Sequence, residues 1–99
     1  VLTNRGCYSS TNTFVRDMLC CPLVRTLGDS TGGGSGMPFT SELPNGWSIR
    51  FSACPQYDRN KPHIEFGIAS TIPCALQEED LKKGKDTLIE KAREILNQE

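Results

Sequence analysis

The first part of the chain carries apolar residues at helical spacing. One stretch places apolar side chains at positions i, i+1, i+4 and i+5, namely Phe14, Val15, Met18 and Leu19. This spacing puts them on one face of a helix. A polar turn rich in capping residues precedes it, and Pro22 ends it. Short apolar runs flank the helix at residues 1–3 and 23–27. The order strand, turn, helix, strand predicts a right-handed βαβ unit and an α/β fold.

The pattern changes to period 2 in the middle of the chain. The apolar members of the alternation are Trp47, Ile49, Phe51 and Ala53. Such alternation indicates a strand with one buried face. Phe39 and Leu43 lie on the preceding strand, and Asn45-Gly46 between the two strands predicts a tight β-hairpin turn with positive φ at both residues. Residues 63–68 form a further short extended run.

Helical spacing returns near the end of the sequence. Five apolar residues follow the spacing of one helix face, with steps of three or four positions between them: Leu88, Ile89, Ala92, Ile95 and Leu96. Asp86, just before them, is a good helix cap. We see no internal repeat and no domain boundary, and 99 residues make one domain at most.

Composition and charge exclude several classes of protein. The 11 basic residues are balanced by 12 acidic ones, so a dedicated nucleic-acid surface is not expected. No apolar run reaches the ~18 residues of a transmembrane helix. The five cysteines are an odd number without a C-x-x-C pair. We therefore expect mostly buried, reduced thiols, no disulfide between Cys20 and Cys21, and no metal or other cofactor.

Two segments carry candidate chemistry. Ser9 and Ser10 lie on a turn before a helix, where free N–H groups and the positive end of the dipole suit a nucleophile and its oxyanion. Spacing alone favours a plainer interpretation, in which both serines cap the helix. The glycine-rich residues 28–36 lack the Lys-Ser/Thr of a phosphate loop and lead into a strand. They form either a peptide-binding backbone or a flexible surface loop.

Four segments, in order and spacing, resemble the motifs of the C-terminal processing (tail-specific) serine peptidases and their tricorn-core relatives. They are the nucleophile turn at residues 6–12, a Gly-Glu-x-Thr-x-Gly-like loop at 28–33, a Gly-Val-x-Pro-Asp-like segment at 65–71, and the Gly-x-Asp opening of the last helix at 84–86. The resemblance implies a crotonase-like (ClpP-type) layered α/β fold. Residues 1–99 would form the C-terminal part of one catalytic domain whose N-terminal half is absent.

The resemblance also implies roles for individual residues. Ser9 matches the nucleophile, and the backbone N–H of Ser10 matches an oxyanion donor. The lysine base of the tail-specific branch falls on Gly34, so the chain is more similar to the tricorn branch. That branch uses an upstream histidine and a later glutamate, which Glu65 matches. Taken by itself, Glu65 is equally an exposed strand carboxylate, and His63 is a weaker candidate base.

The function implied is that of a serine endopeptidase fragment acting on peptides or proteins, with an extracytoplasmic parent. Its general base would come from a missing upstream segment, so the fragment alone would be inactive. Two alternatives stay open. One is a catalytically inactive family member that binds peptides, and the other is an unrelated small α/β binding domain.

Overall fold

The computed structural model describes residues 1–60 and 62–98. Its strands are β1 (Leu2–Thr3), β2 (Leu27–Gly28), β3 (Pro38–Glu42), β4 (Ser48–Ser52) and β5 (Ile72–Pro73). Its helices are α1 (Ser10–Met18), α2 (Glu78–Lys82) and α3 (Thr87–Gln98). Across these described ranges, no helix has the length and apolar character needed to cross a membrane.

The three short strands form a parallel sheet in the order β1-β2-β5. Leu27 is paired with Leu2 on one side and with Ile72 on the other. The parallel β1-α1-β2 unit predicted from the sequence is therefore confirmed. The second strand begins later than residues 23–27 predicted, because Val24 N–H donates to Cys21 O at 3.0 Å and closes a turn there.

The predicted hairpin is confirmed, but its turn is not the tight two-residue type. Gly46 N–H donates to Leu43 O at 2.9 Å, and Leu43 N–H donates to Trp47 O at 2.7 Å. Gly46 has a φ of 85°, whereas Asn45 has no positive φ. The loop thus spans three residues, since Pro44 favours the second position of an ordinary turn and Gly46 then supplies the left-handed residue.

The expected burial of the hairpin's apolar face is wrong. Phe39 packs beside Phe51 with ring centroids 5.6 Å apart and the rings tilted by 55°. Both are nevertheless more than half exposed, and Trp47 is 70% exposed. The opposite, polar face carries Arg50 and Ser52, which pair across to Thr40 and Pro38. Alternation identified the two faces correctly, but the described residues contain no element that covers the apolar one.

The described residues bury few apolar side chains. The buried hydrophobic residues are Val15, Leu27 and Ile64, and the buried polar ones are Thr3, Asn12, Thr26, Thr31 and Ser35. The radius of gyration is 17.2 Å, against the ~13 Å expected of a compact domain of about 100 residues. The chain therefore forms a thin layer, 15 Å across in its shortest dimension.

The last part of the chain follows the predicted helix closely. Asp86 Oδ1 accepts hydrogen bonds from Leu88 N–H at 2.8 Å and from Ile89 N–H at 3.2 Å. This confirms Asp86 as the cap of α3. Residues 63–68, expected to be extended, instead form a turn in which Gly67 N–H donates to Ile64 O at 3.1 Å. Gly67 has a φ of 106°, which a strand does not allow.

The cysteines are free but not buried. Cys20, Cys21 and Cys54 are exposed, while Cys7 and Cys74 are partly exposed. The expectation that most would act as small core residues is wrong. The physical reason is the thin architecture, since the small core is filled by Val15, Leu27, Ile64 and hydrogen-bonded polar groups.

Candidate active site

Ser9 occupies a sharp turn immediately before α1. Its backbone has a φ of 56° and a ψ of −118°, a region that costs a non-glycine residue about 1–3 kcal/mol. The surroundings hold it there, because its N–H donates to Gly33 O at 2.7 Å and its carbonyl oxygen accepts from Thr13 N–H at 3.1 Å. Its side chain makes no capping hydrogen bond. Ser9 therefore occupies the N-cap position of α1, but the expectation that its side chain caps the helix is wrong.

The N–H of Ser10 is positioned as a free donor. Ser10 is the first residue of α1, so its N–H has no partner within the helix. The next N–H, that of Thr11, donates to Tyr8 O at 3.2 Å. No acceptor for the Ser10 N–H occurs in the part of the chain that the structure describes. A free donor at the positive end of a helix dipole, one residue after a candidate nucleophile, suits a developing oxyanion.

A buried polar network lies beneath the Ser9 turn. Asn12 is 0% exposed, and its Nδ2 donates to Ser35 Oγ at 2.8 Å and to Ile64 O at 3.0 Å. Its Oδ1 accepts from Thr31 Oγ1 at 2.6 Å. Thr31 Oγ1 in turn accepts from Ile68 N–H at 2.6 Å. These bonds join α1 to two segments that are distant in the sequence.

Ser35 connects this network to the turn itself. Its hydroxyl donates to Ser9 O at 3.1 Å and accepts from Thr13 Oγ1 at 3.1 Å. Asn12, Thr31 and Ser35 were not identified as site residues from the sequence. The sequence did contain an indication of two of them, because Asn12 lies in the motif at residues 6–12 and Thr31 in the motif at residues 28–33. The strained Ser9 conformation is thus supported by buried hydrogen bonds.

The glycine-rich segment is packed, so the alternative of a flexible loop is wrong. A Cβ on Gly32 would lie 2.3 Å from Arg5 O, and one on Gly33 would lie 2.0 Å from Glu65 O. Gly32 N–H donates to Cys7 O at 2.9 Å, and Gly34 N–H donates to Glu65 O at 2.8 Å. Two of the loop's N–H groups are therefore already used within the chain.

Position 34, where the tail-specific branch has its lysine base, is packed against the Tyr8 ring. The φ of Gly34 is 72°, and a Cβ there would lie 2.1 Å from Tyr8 Cζ. The Tyr8 ring therefore occupies the space that the side chain of any other residue at position 34 would need. A lysine at this position would require the Tyr8 ring to move and would have to adopt a positive φ, which side-chain-bearing residues rarely adopt.

Glu65 does not contact Ser9. Its Oε1 accepts a hydrogen bond from Ser52 Oγ at 2.5 Å, while Oε2 is buried without a hydrogen-bond partner among the described residues. Gly36 leaves room for that oxygen, because a Cβ there would lie 2.7 Å from it. Glu65 lies in a turn and is partly buried, so the interpretation as an exposed strand carboxylate is wrong.

His63 is exposed and directed to its own loop. Its Nδ1 accepts from Glu65 N–H at 3.2 Å. The ring also meets Tyr57 edge-on at 5.2 Å. No hydrogen bond joins His63 to Ser9, so the structure does not bring this candidate base to the serine.

Ser9 opens into a cavity of about 370 Å³ between its own turn and the hairpin. The lining residues are Tyr8, Ser9, Gly34, Pro38, Arg50, Phe51 and Ser52. A neighbouring cavity of about 170 Å³ contains Glu65 and His63, and Ser52 lines both cavities. Ser52 therefore stands between Ser9 and Glu65. Within residues 1–60 and 62–98, no cluster of side chains could hold a metal ion.

Comparison with known proteins identifies the family of the chain. Residues 1–74 match the family model of Peptidase family S41. A crystal structure from Parabacteroides merdae, described as a "putative peptidase", is 59% identical with a TM-score of 0.93. The match covers 97% of this chain and 30% of that one, so this chain spans under a third of the neighbour's length. No curated protein matches the chain. The resemblance to serine peptidases is confirmed at the level of the family: the chain belongs to peptidase family S41.

Proposed function

We propose that the chain is part of the catalytic domain of a serine endopeptidase and that Ser9 is its nucleophile. The observation that carries this proposal is the strained Ser9 backbone, with a φ of 56°, at a helix start that opens into a cavity. Backbone strain of this kind persists only where the surroundings impose it, and it is concentrated at functional sites. Here the Ser9 N–H donates to Gly33 O, and Ser9 O accepts from Thr13 N–H and the Ser35 hydroxyl, and these hydrogen bonds impose it.

The reaction would proceed by acyl transfer. Ser9 Oγ attacks the peptide carbonyl carbon while a base removes its proton, and the carbonyl oxygen becomes an oxyanion. The free N–H of Ser10 would donate to that oxyanion at the start of α1. Collapse of the tetrahedral intermediate expels the amine, which takes a proton from the base. Water then attacks the ester on Ser9 and releases the second product.

The general base would come from a segment outside these residues. Position 34 cannot carry a lysine without displacing Tyr8, and Ser9 has no hydrogen bond to His63. Glu65 Oε2 is a buried acceptor without a donor among the described residues. A histidine supplied by an upstream segment, as in the tricorn branch, would satisfy this oxygen directly. The chain alone would then lack activity, because loss of the base costs a serine site about 10⁴–10⁶ in turnover.

The chain is best explained as the C-terminal part of a crotonase-like domain. It spans 30% of its solved neighbour, and its hairpin leaves Phe39, Phe51 and Trp47 uncovered. Further layers of the same domain would cover such a face.

A catalytically inactive peptide-binding protein is the second candidate function. It is favoured by the absence of any base hydrogen-bonded to Ser9 Oγ among the described residues. An unrelated α/β binding domain is excluded by the family match.

Peptidase assays on the full-length protein containing this chain test the proposal. Ser9→Ala should abolish hydrolysis, whereas Ser10→Ala should have a mild effect because Ser10 contributes its backbone N–H. Glu65→Gln should fall between the two. Loss of activity in Ser10→Ala but not in Ser9→Ala would show that the nucleophile has been assigned to the wrong serine. Peptide binding without any hydrolysis would favour the inactive protein.

A further inference from the structure

Arg50 projects from the polar face of the hairpin towards the candidate nucleophile. It lies on β4 and shares that face with Ser52 and Pro38. All three line the cavity of about 370 Å³ into which Ser9 opens. Among the described residues that line this cavity, Arg50 carries the single charge. Arg50 therefore places one positive charge at the site where a peptide would bind.

The Arg50 guanidinium has no partner in the part of the chain that the structure describes, unlike those of the other arginines. Arg5 bonds to Thr31 O and Asp29, and Arg16 bonds to Asp17 and Gln56. Arg59 bonds to Cys20 O, Arg93 bonds to Glu90, and Arg25 has a partner as well. Glu42 lies diagonally across the same hairpin face, but no ion pair joins it to Arg50.

The chemistry of Arg50 suits the binding of a carboxylate. Tyr8, Pro38 and Phe51 supply apolar surface to the same cavity. A guanidinium offers two parallel N–H groups that match the two oxygens of a carboxylate. A peptide rises about 3.3 Å per residue when extended. A carboxylate bound in this cavity would thus belong to a residue close to the scissile bond.

We propose that Arg50 is a specificity-determining residue, which binds a carboxylate of the peptide substrate beside Ser9. The proposal rests on the proposed function, because it assumes that the cavity receives the peptide that Ser9 attacks. The substrate class is therefore peptides with an acidic group close to the point of cleavage.

The test measures binding in the full-length protein carrying Ser9→Ala, so that no substrate is consumed. The probes are fluorescein-labelled decapeptides of Ala, Gly and Leu with an amidated C-terminus. Each peptide of the set carries one Glu, at a different position. Each has a control peptide with Gln at the same position. We expect the Glu peptide to bind about 10-fold more tightly, or better, at one or two neighbouring positions, which is the scale of a charge-assisted hydrogen bond.

The variants then attribute the selectivity to Arg50. Arg50→Gln should reduce the ratio of Glu to Gln affinity to about one, and Arg50→Glu should reverse it in favour of a matched Lys peptide. Arg93→Gln, which removes an exposed arginine on α3, should keep the parent's ratio. A neutral peptide whose free C-terminus binds more tightly than its amide, with the difference lost in Arg50→Gln, would identify the α-carboxylate as the bound group.

Failure of this inference differs from failure of the proposed function. Equal affinity for Glu and Gln peptides at every position, with no effect of the free C-terminus, would overturn the role of Arg50 even if Ser9 is catalytic. Selectivity that survives in both Arg50→Gln and Arg50→Glu would overturn it as well. Arg50-dependent selectivity in a protein whose Ser9 is unreactive would support the carboxylate site and overturn the proposed peptidase activity.

Discussion

Replacing Asn12 with alanine tests the claim that buried hydrogen bonds hold the Ser9 turn. Asn12 is 0% exposed and makes three side-chain hydrogen bonds, to Ser35 Oγ, Ile64 O and Thr31 Oγ1. The substitution removes all three bonds and leaves an unfilled space under the first turn of α1. The hydroxyl proton of Thr31 would lose its acceptor.

The expected loss follows from these contacts. Three buried hydrogen bonds contribute about 0.5–1.5 kcal/mol each, but two of the abandoned groups keep other partners. Ile64 O still accepts from Gly67 N–H at 3.1 Å, and Ser35 Oγ still accepts from Thr13. We therefore expect Asn12→Ala to lower the free energy of unfolding by about 2–4 kcal/mol.

Denaturant unfolding of the full-length protein measures this loss, with Asn97→Ala as the matched control. Asn97 is exposed on α3, so its substitution should change stability by about 0.5 kcal/mol or less. Asn12→Ala should also slow the reaction of Ser9 with an active-site probe, since the turn loses its support. A stability loss no larger than the control's, with unchanged Ser9 reactivity, would refute the reasoning.

Three further predictions concern other parts of the chain. Gly46→Val should lower the free energy of unfolding by about 1–3 kcal/mol, because Gly46 has a φ of 85°. Nothing lies within 4 Å of an added Cβ, so the loss would come from backbone strain and not from a clash. An unchanged melting temperature would show that the turn is absent. Gly34→Lys should destabilise the protein and restore no activity, because a Cβ there meets the Tyr8 ring at 2.1 Å; peptidase activity gained through this lysine would contradict the packing. The Lys91 ammonium lowers the pKa of Glu94 through a hydrogen bond and its charge. The pair therefore stabilises α3 at neutral pH, and this contribution is lost as the pH falls through the lowered pKa. An NMR titration should show that pKa rising in Lys91→Met, and an unmoved value would contradict the pairing.

The fold was predictable where the hydrophobic pattern is long enough to carry a period. Helix α3 and its cap at Asp86 follow from spacing, as do the two strands of the hairpin. The two-residue strand at Ile72–Pro73 is too short to show any period. Alternation also tells which residues share a face, but not whether anything covers it, and this is why the exposure of Trp47 was missed.

The site was predictable only in part. Family motifs pointed to Ser9, Ser10 and Glu65, whose catalytic roles stay predictions. Asn12 and Thr31 read as ordinary turn residues in the sequence, because their hydrogen bonds join segments 19 residues apart or more. Burial of a polar side chain depends on these distant contacts, which local sequence does not contain.

Labelling of the full-length protein with a fluorophosphonate, followed by peptide mapping in a mass spectrometer, tests the central claim most directly. The account predicts one adduct, located on Ser9, that is absent in Ser9→Ala and retained in Ser10→Ala. An adduct on a different serine, or no adduct on a folded protein that still cleaves peptides, would contradict the assignment of Ser9 as the nucleophile.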